Sequence, residues 1–340
     1  MRMSVDVAAH ATWAIETRKL RRTFGELVAV DALDLSIRSG ELFGLLGPNG
    51  AGKTTSIAML TTMLSPSGGH ARVNGFDVQK EPDQVRKSIG IVFQDPSLDI
   101  DLTAEENLAF HGELYGLSTG LIASRSKELL ALVELSDRAT EPVKTFSGGM
   151  KRRLEIARGL LHHPKILFLD EPTVGLDPQT RRKLWEYIAR LNQTEKITMI
   201  LTTHYLEEAD ALCERIAIID AGKAIALDSP ANLKNQLKGQ TVTATGPNPN
   251  AILALSIDGV MTAAEDHDEV RFSVEDSRSF VPKLFDAAAK AGVDIAGVDI
   301  HQPSLEDVFV HLTGHSIRDE SASESEQSKA ALTYRGFMRR

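Results

Sequence analysis

An α/β fold built on an open, mainly parallel sheet is the class this 340-residue sequence predicts, on three observations. A glycine-rich loop beginning at Gly47 follows the apolar run Leu42-Phe43-Gly44-Leu45-Leu46 and leads into a helix-like stretch over 54–64. Short apolar runs recur at 89–93, 166–169, 197–201 and 216–219, with helical patterns between the later ones. Polar residues collect where those runs end, at Gln94, Asp170-Glu171 and His204. Open α/β sheets bind their ligands at that edge.

In chain order, residues 1–12 read as a loose leader. Over 13–40 apolar and polar residues alternate, as in Ala32-Leu33-Asp34-Leu35-Ser36-Ile37, which predicts strands. Phe24 lies in this stretch and fits a core aromatic or a functional one. Asn74-Gly75, between two short apolar segments, is a two-residue hairpin signal. Residues 13–40 and 70–93 are expected to form an antiparallel sheet beside the main one. Thr103 and Glu106 have capping-box spacing, so a helix should run from about Ala104 to Tyr115, with a second over 125–135. These make 97–146 a helical insert within a helical subdomain of about 97–160.

Ser147-Gly148-Gly149 opens a helix over 150–161, made basic by Lys151, Arg152, Arg153 and Arg158. That charge suits a solvated face or contact with an anion. His162 and His163 precede Pro164, which ends the helix; adjacent histidines point to different sides, so no metal site is expected there. Helices follow over 180–191 and 206–213. Past Lys238 the order β-α-β-β-α-β predicts a small ferredoxin-like module with a closing helix over 305–312 capped by Ser304. The Ser/Glu-rich end reads as disordered. The expected domains are therefore 13–237 and 238–314, between the leader and a tail over 315–340.

Composition narrows the class. Hydrophobic residues at 42% and charged residues at 25% are those of a globular protein. A net charge of −9 argues against a nucleic-acid-binding surface spread over the molecule, and no nucleic-acid partner is expected. The single cysteine, Cys213, leaves no intrachain disulfide and suits a reducing compartment. No run approaches the ~18 apolar residues of a membrane span, and the start of the chain has no signal-peptide core. The chain is expected to be cytoplasmic, reaching a membrane through a partner.

Gly47-Pro48-Asn49-Gly50-Ala51-Gly52-Lys53-Thr54 fits G-x-x-x-x-G-K-[ST], a phosphate-binding loop. Glycines let successive backbone N–H groups curl around a phosphate, Lys53 supplies a cation, and the Thr54 hydroxyl suits Mg²⁺. A carboxylate at a strand end, Asp170, can hold Mg²⁺ directly or through water, and its neighbour Glu171 can deprotonate an attacking water. Ser147-Gly148-Gly149 at a helix start is a second anion site or a plain helix cap. Gln94 and His204 end strands where a γ-phosphate would sit, and Asp177 lies in a turn after the acidic pair.

The ordered set G-P-N-G-A-G-K-T-T, Gln94, S-G-G-M, I-L-F-L-D-E-P-T, G-L-D-P and T-T-H resembles the nucleotide-binding subunit of ATP-binding cassette (ABC) transporters, over roughly residues 13–235. L-T-T-H-Y-L-E-E-A-D, V-K-T-F-S-G-G-M-K-R-R-L-E-I-A-R-G-L and S-L-E-D-V-F-V-H-L-T-G are similar to the daunorubicin-resistance type of drug-exporter ATPase. The resemblance implies a P-loop NTPase core of the ABC ATPase kind: a parallel sheet, an antiparallel β subdomain and a helical insert, plus a small C-terminal α+β module. It implies ATP and Mg²⁺ as ligands, with Gly47 to Thr55 as the Walker A loop and Phe24 stacking on adenine. Gln94 would be the Q-loop residue, Asp170 the Walker B acid, Glu171 the general base, Asp177 the D-loop acid and His204 the switch histidine. Thr54, Gln94 and Asp170 would face the metal. Ser147, Gly148 and Gly149 would close on the ATP of a second copy, although F-S-G-G-M departs from the common L-S-G-G-Q and loses the glutamine.

The function implied is hydrolysis of ATP by a homodimer around two ATP molecules, energising export of a drug-like or other hydrophobic compound. A separate ABC-2-type membrane permease would hold the subunit at the inner face of the plasma membrane and contact the helical insert. A soluble ATP switch acting on nucleic acid or ribosomes is the alternative, although such relatives usually carry two cassettes or a long coiled coil. A small-molecule kinase would share the phosphate loop but has no use for Ser147-Gly148-Gly149. The C-terminal module is expected to regulate or stabilise the dimer, or to extend the fold passively.

Overall fold

A computed structural model describes residues 13–313 apart from 96, 238, 267, 268 and 302. The expected leader over 1–12 and tail over 315–340 lie outside the described residues. The described chain forms two compact units, 13–230 and 231–313.

The first unit opens with two long strands, β1 (Trp13–Phe24) and β2 (Leu27–Arg38), joined by a tight turn at Gly25. Their buried positions alternate in part, as the sequence pattern requires. β3 (Leu42–Leu46) is buried at every position and feeds α1 (Lys53–Leu60). α1 stops four residues before the expected Leu64. The Thr61 hydroxyl turns back to Ile57 O at 2.8 Å, and Thr62 takes a left-handed φ of 64°.

Next come β4 (Gly68–Val73) and β5 (Phe76–Asp77), whose hairpin turns at Asn74 (φ 50°) and Gly75 (φ 81°), as the dipeptide predicts. The antiparallel sheet β2-β1-β4-β5 ends there. The expectation that it extends to residue 93 is corrected: α2 (Pro82–Ser88) follows, and β6 (Ile89–Val92) joins the parallel sheet. β6 carries no polar alternation because both its faces are covered.

The helical region holds α3 (Ala104–Leu114), α4 (Thr119–Leu132) and α5 (Gly148–Leu160). The Thr103–Glu106 capping box is present in both directions. α4 starts six residues before the expected 125 because Ser118 caps it, accepting from Leu121 N. The sheet then resumes with β7 (Ile166–Asp170), α6 (Pro178–Glu195), β8 (Thr198–Thr203), α7 (Leu206–Leu212) and β9 (Arg215–Asp220). β10 (Lys223–Asp228), which the sequence reading missed, turns back antiparallel on β9. The strand order is β10-β9-β3-β8-β7-β6. One core serves both sheets, with Ile15, Leu33 and Val73 packed with Phe43, Ile57 and Phe168. Cys213 is buried, its sulfur standing where a side chain on Gly44 would have to go.

The second unit contains α8 (Pro230–Gln236), β11 (Gln240–Thr245), α9 (Pro249–Leu253), β12 (Val260–Asp266), β13 (Glu269–Val274), α10 (Ser277–Ala291), β14 (Gly297–His301) and α11 (Leu305–Thr313). Its sheet is antiparallel in the order β12-β13-β11-β14, the arrangement of a split βαβ module. Val242, Phe272, Phe280 and Leu284 form its own core. Among the described residues, no helix is long and apolar enough to cross a membrane.

Candidate nucleotide site

Register brings the chemistry together. Along the parallel sheet Leu46 pairs with Thr203 and Asp170 with Thr202, so β3, β7 and β8 deliver their C-terminal ends to one edge. The loop 47–52 springs from that edge. A Cβ on Gly47 would lie 2.1 Å from Ile219 O, and one on Gly52, at φ 102°, would lie 2.5 Å from Ala29 O. Both positions therefore exclude a side chain. No side chain caps α1 and no acid sits in its first turn, so the positive end of the helix stays available to an anion.

Lys53 is buried, and its Nζ donates to Gly47 O at 2.7 Å and Pro48 O at 3.0 Å. Glu171 Oε1 lies 3.5 Å from the same nitrogen. Burial holds the Lys53 ammonium below its ordinary pKa, against the opposing pull of Glu171 and Asp170. Thr54 Oγ1 lies 3.5 Å from Asp170 Oδ1, which also accepts from the Thr202 hydroxyl. Desolvation raises the Asp170 carboxyl, with the Thr202 bond working against it.

Glu171 takes a left-handed φ of 48°. Its amide donates to Thr202 Oγ1 at 3.0 Å and Thr202 O at 3.2 Å, and one carboxylate oxygen lies 2.8 Å from His204 Nδ1. Thr202 is thus a site residue the sequence reading missed. Its only signal was a hydroxyl pair at the end of an otherwise apolar strand. The structure therefore gathers Lys53, Thr54, Asp170, Glu171 and His204.

Other predicted residues stand apart from that group. Gln94 lies two residues past β6, exposed and without a hydrogen bond among the described residues. Phe24 ends β1, its half-buried ring under the Arg22 guanidinium at 4.6 Å. Ser147 caps α5, accepting from Met150 N at 3.3 Å, and a side chain on Gly149 would strike Thr180 Cγ2 at 2.5 Å. Asp177 caps α6 through Gln179 N and Thr180 N at 3.1 and 3.0 Å, and the Thr180 hydroxyl, then these amides, hold its carboxyl below the usual range. Among the described residues, no hydrogen bond or ion pair joins Ser147 or Asp177 to Lys53 or Thr54. Of the basic residues of α5, Arg152 is not solvated: it is buried under the strand ends and pairs with the Glu155 carboxylate at 2.9 Å.

The donor set suits a nucleotide with a hard cation. Among the described residues, no three His, Cys, Asp or Glu side chains converge as a metal cage. Mg²⁺ needs none, since it keeps waters and takes one or two protein ligands plus phosphate oxygens. The Thr54 hydroxyl and the Asp170 carboxylate, 3.5 Å apart, are oxygen donors that could hold it.

Residues 30–174 match the family described as ABC transporter, and residues 229–313 the one described as ATP-binding protein DrrA1-3-like, C-terminal domain. The daunorubicin/doxorubicin resistance ATP-binding protein DrrA of Streptomyces peucetius is 40% identical, over 94% of this chain and 98% of that protein. The linearmycin resistance ATP-binding protein LnrL of Bacillus subtilis is 38% identical over 90% of this chain and all of its own length. Among solved structures, cbiO1 of Clostridium perfringens, part of the ABC transporter complex cbiONQ, superposes with a TM-score of 0.62 at 27% identity, covering 66% of this chain and 91% of that one. The ATP-binding cassette MJ0796, a dimer in a post-hydrolysis state bound to ADP and Pi, gives 0.56 at 27% identity, covering 63% and 98%. With this loop, these strand-end acids and relatives matched along nearly their whole length, the chain belongs to the ATP-binding, ATP-hydrolysing proteins of the ABC transporter family.

Proposed function

We propose that this ATPase energises a separate ABC-2-type permease that exports a drug-like or other hydrophobic compound, working as a homodimer around two ATP molecules. The observation that carries the hydrolytic half is Glu171, held on one side by His204 at 2.8 Å and on the other by the Lys53 ammonium at 3.5 Å. The export half is supported by relatives named for daunorubicin, doxorubicin and linearmycin resistance and for Nod factor export. In this reading 13–237 is the ATPase domain, its helical part at about 97–160 meets the permease, and 238–314 is an accessory domain. The subunit then sits at the inner face of the plasma membrane through that partner.

The residues divide the work. The backbone N–H groups of Gly47 and of residues 49–52, with Lys53, bind the phosphates, and the Phe24 ring stacks on the base. Thr54 and Asp170 would hold Mg²⁺, with Gln94 joining them from the segment after β6, and the ion would supply charge neutralisation at the phosphates. Glu171 takes the proton of the attacking water, and His204 Nδ1 fixes the orientation of that carboxylate. Ser147, Gly148 and Gly149 present a helix start to the nucleotide of the second copy, and Asp177 fixes the turn beside them.

Glu171→Gln keeps the shape of the side chain and removes the base. ATP-bound dimers should accumulate while phosphate release falls by at least about 100-fold, within the range of general-base contributions. Size-exclusion chromatography with ATP and a phosphate assay check this, and near-normal turnover would remove Glu171 from its role.

A further inference from the structure

Arg152 is a buried cation whose partners come from three separate segments. Its Nε donates to Pro172 O at 2.7 Å, its Nη2 to Glu171 O at 3.0 Å and to Asp170 O at 3.4 Å, and its Nη1 to Phe93 O. Nη1 also meets Glu155 Oε2 at 2.9 Å, one helical turn along α5. Both side chains are buried, with side-chain exposures of 7% and 2%. The second oxygen of Glu155 accepts from Ser97 N at 2.9 Å, and Arg158 Nη1 donates to Ser97 O. One helix thus holds the residues on both sides of the Gln94 segment and also the peptide that carries Glu171.

Buried charge of this kind is costly unless every donor is used, and a hydrophobic pair often packs as well or better. Stability alone therefore explains poorly why an ion pair stands here. The backbone supplies a reason. Glu171 occupies a left-handed φ of 48°, a conformation that a residue with a Cβ rarely adopts. It persists only when its surroundings hold it. Thr202 grips the amide side of the residue, and Arg152 grips the carbonyl side. Only a planar fork can reach carbonyls on both β6 and β7 exits at once; an ammonium presents a point charge.

We propose that Arg152, locked by Glu155, is a positioning residue for hydrolysis: it fixes the peptide of Glu171 and the start of the Gln94 segment relative to α5. Because α5 begins at Ser147, the same contact ties the acid of one nucleotide site to the helix offered to the other. This rests on the roles given above to Glu171 and Ser147.

The test uses the full-length chain, with Arg152→Lys, the paired Arg152→Met/Glu155→Leu and Glu171→Gln measured side by side. The Met/Leu pair removes both charges together but leaves the Phe93 and Pro172 carbonyls and Ser97 N without those partners, so its thermal midpoint should fall and the folded fraction is normalised by nucleotide binding. Turnover per nucleotide-binding molecule should nevertheless fall at least about tenfold, ~1.4 kcal/mol of barrier, with KM for ATP little changed. Arg152→Lys should show the same split between kcat and KM. A purely structural role would lower the folded, nucleotide-binding fraction and leave turnover per binding molecule intact. Either Arg152 variant turning over within about twofold of wild type per binding molecule overturns the proposal. If that happens while Glu171→Gln is inactive, only the positioning role fails; if Glu171→Gln is itself active, the reading of the site fails with it.

Discussion

His111 on α3 stands with its ring 4.9 Å from that of Tyr115 and 6.0 Å from that of His162. Burial first, then the charges of Arg158 and His162, lowers its pKa to about 4. The folded state therefore binds fewer protons than the unfolded chain between the ordinary histidine value and about 4. The stability linked to this group is fully present above pH 6.5 and is lost as pH falls towards 4. Thermal midpoints should drop on acidification through that window, and His111→Gln should flatten the slope; parallel slopes would show that His111 does not titrate this way. Legibility differs sharply at this scale. Lys53, Asp170, Glu171 and His204 could be found in the sequence because each occupies a strand end or a glycine pattern with its own chemistry. Thr202 and Arg152 could not, since both act through contacts that fold only when distant segments meet: Asp170 lies 32 residues from Thr202, and Phe93 lies 59 from Arg152.

Secondary structure was legible where one dominant signal was present. β3 and β7 are continuous apolar runs buried at every position, and the Asn74-Gly75 and Thr103–Glu106 signals each work through local bonds. α2 escaped notice because seven residues hold barely two turns, although Pro82 at its start and Arg86 and Lys87 at its end are ordinary helix markers. β10 is mostly exposed, so it shows no apolar run to read. The capping box gives a direct test. Thr103 Oγ1 accepts from Glu106 N at 3.2 Å, and Thr103 N donates to Glu106 Oε2 at 2.7 Å. Thr103→Ala should lower unfolding free energy by ~1 kcal/mol in denaturant titration. Affinity for ATP should not move, since no residue of α3 belongs to the nucleotide site.

For the whole chain, every residue assigned to nucleotide chemistry falls between Phe24 and His204, and the second unit carries its own core. Truncation after Leu237 should therefore leave ATP affinity and turnover of the remaining chain within about twofold, read by nucleotide titration and phosphate release. A loss of binding would give the C-terminal unit a direct part in the site. The β-α-β-β-α-β order of that unit was readable because its strands and helices alternate cleanly, whereas its sheet order depends on pairings between distant strands, such as Val242 with Ile300. Cys213 has a further use. Its thiol is buried, and burial pushes its pKa well above the ordinary value, so it should react slowly with maleimide reagents while the protein stays folded. The native chain is thus already a blank background for spin or fluorophore labelling: one cysteine introduced at exposed Gln179 would be its sole reactive handle, ready to report the approach of a second copy.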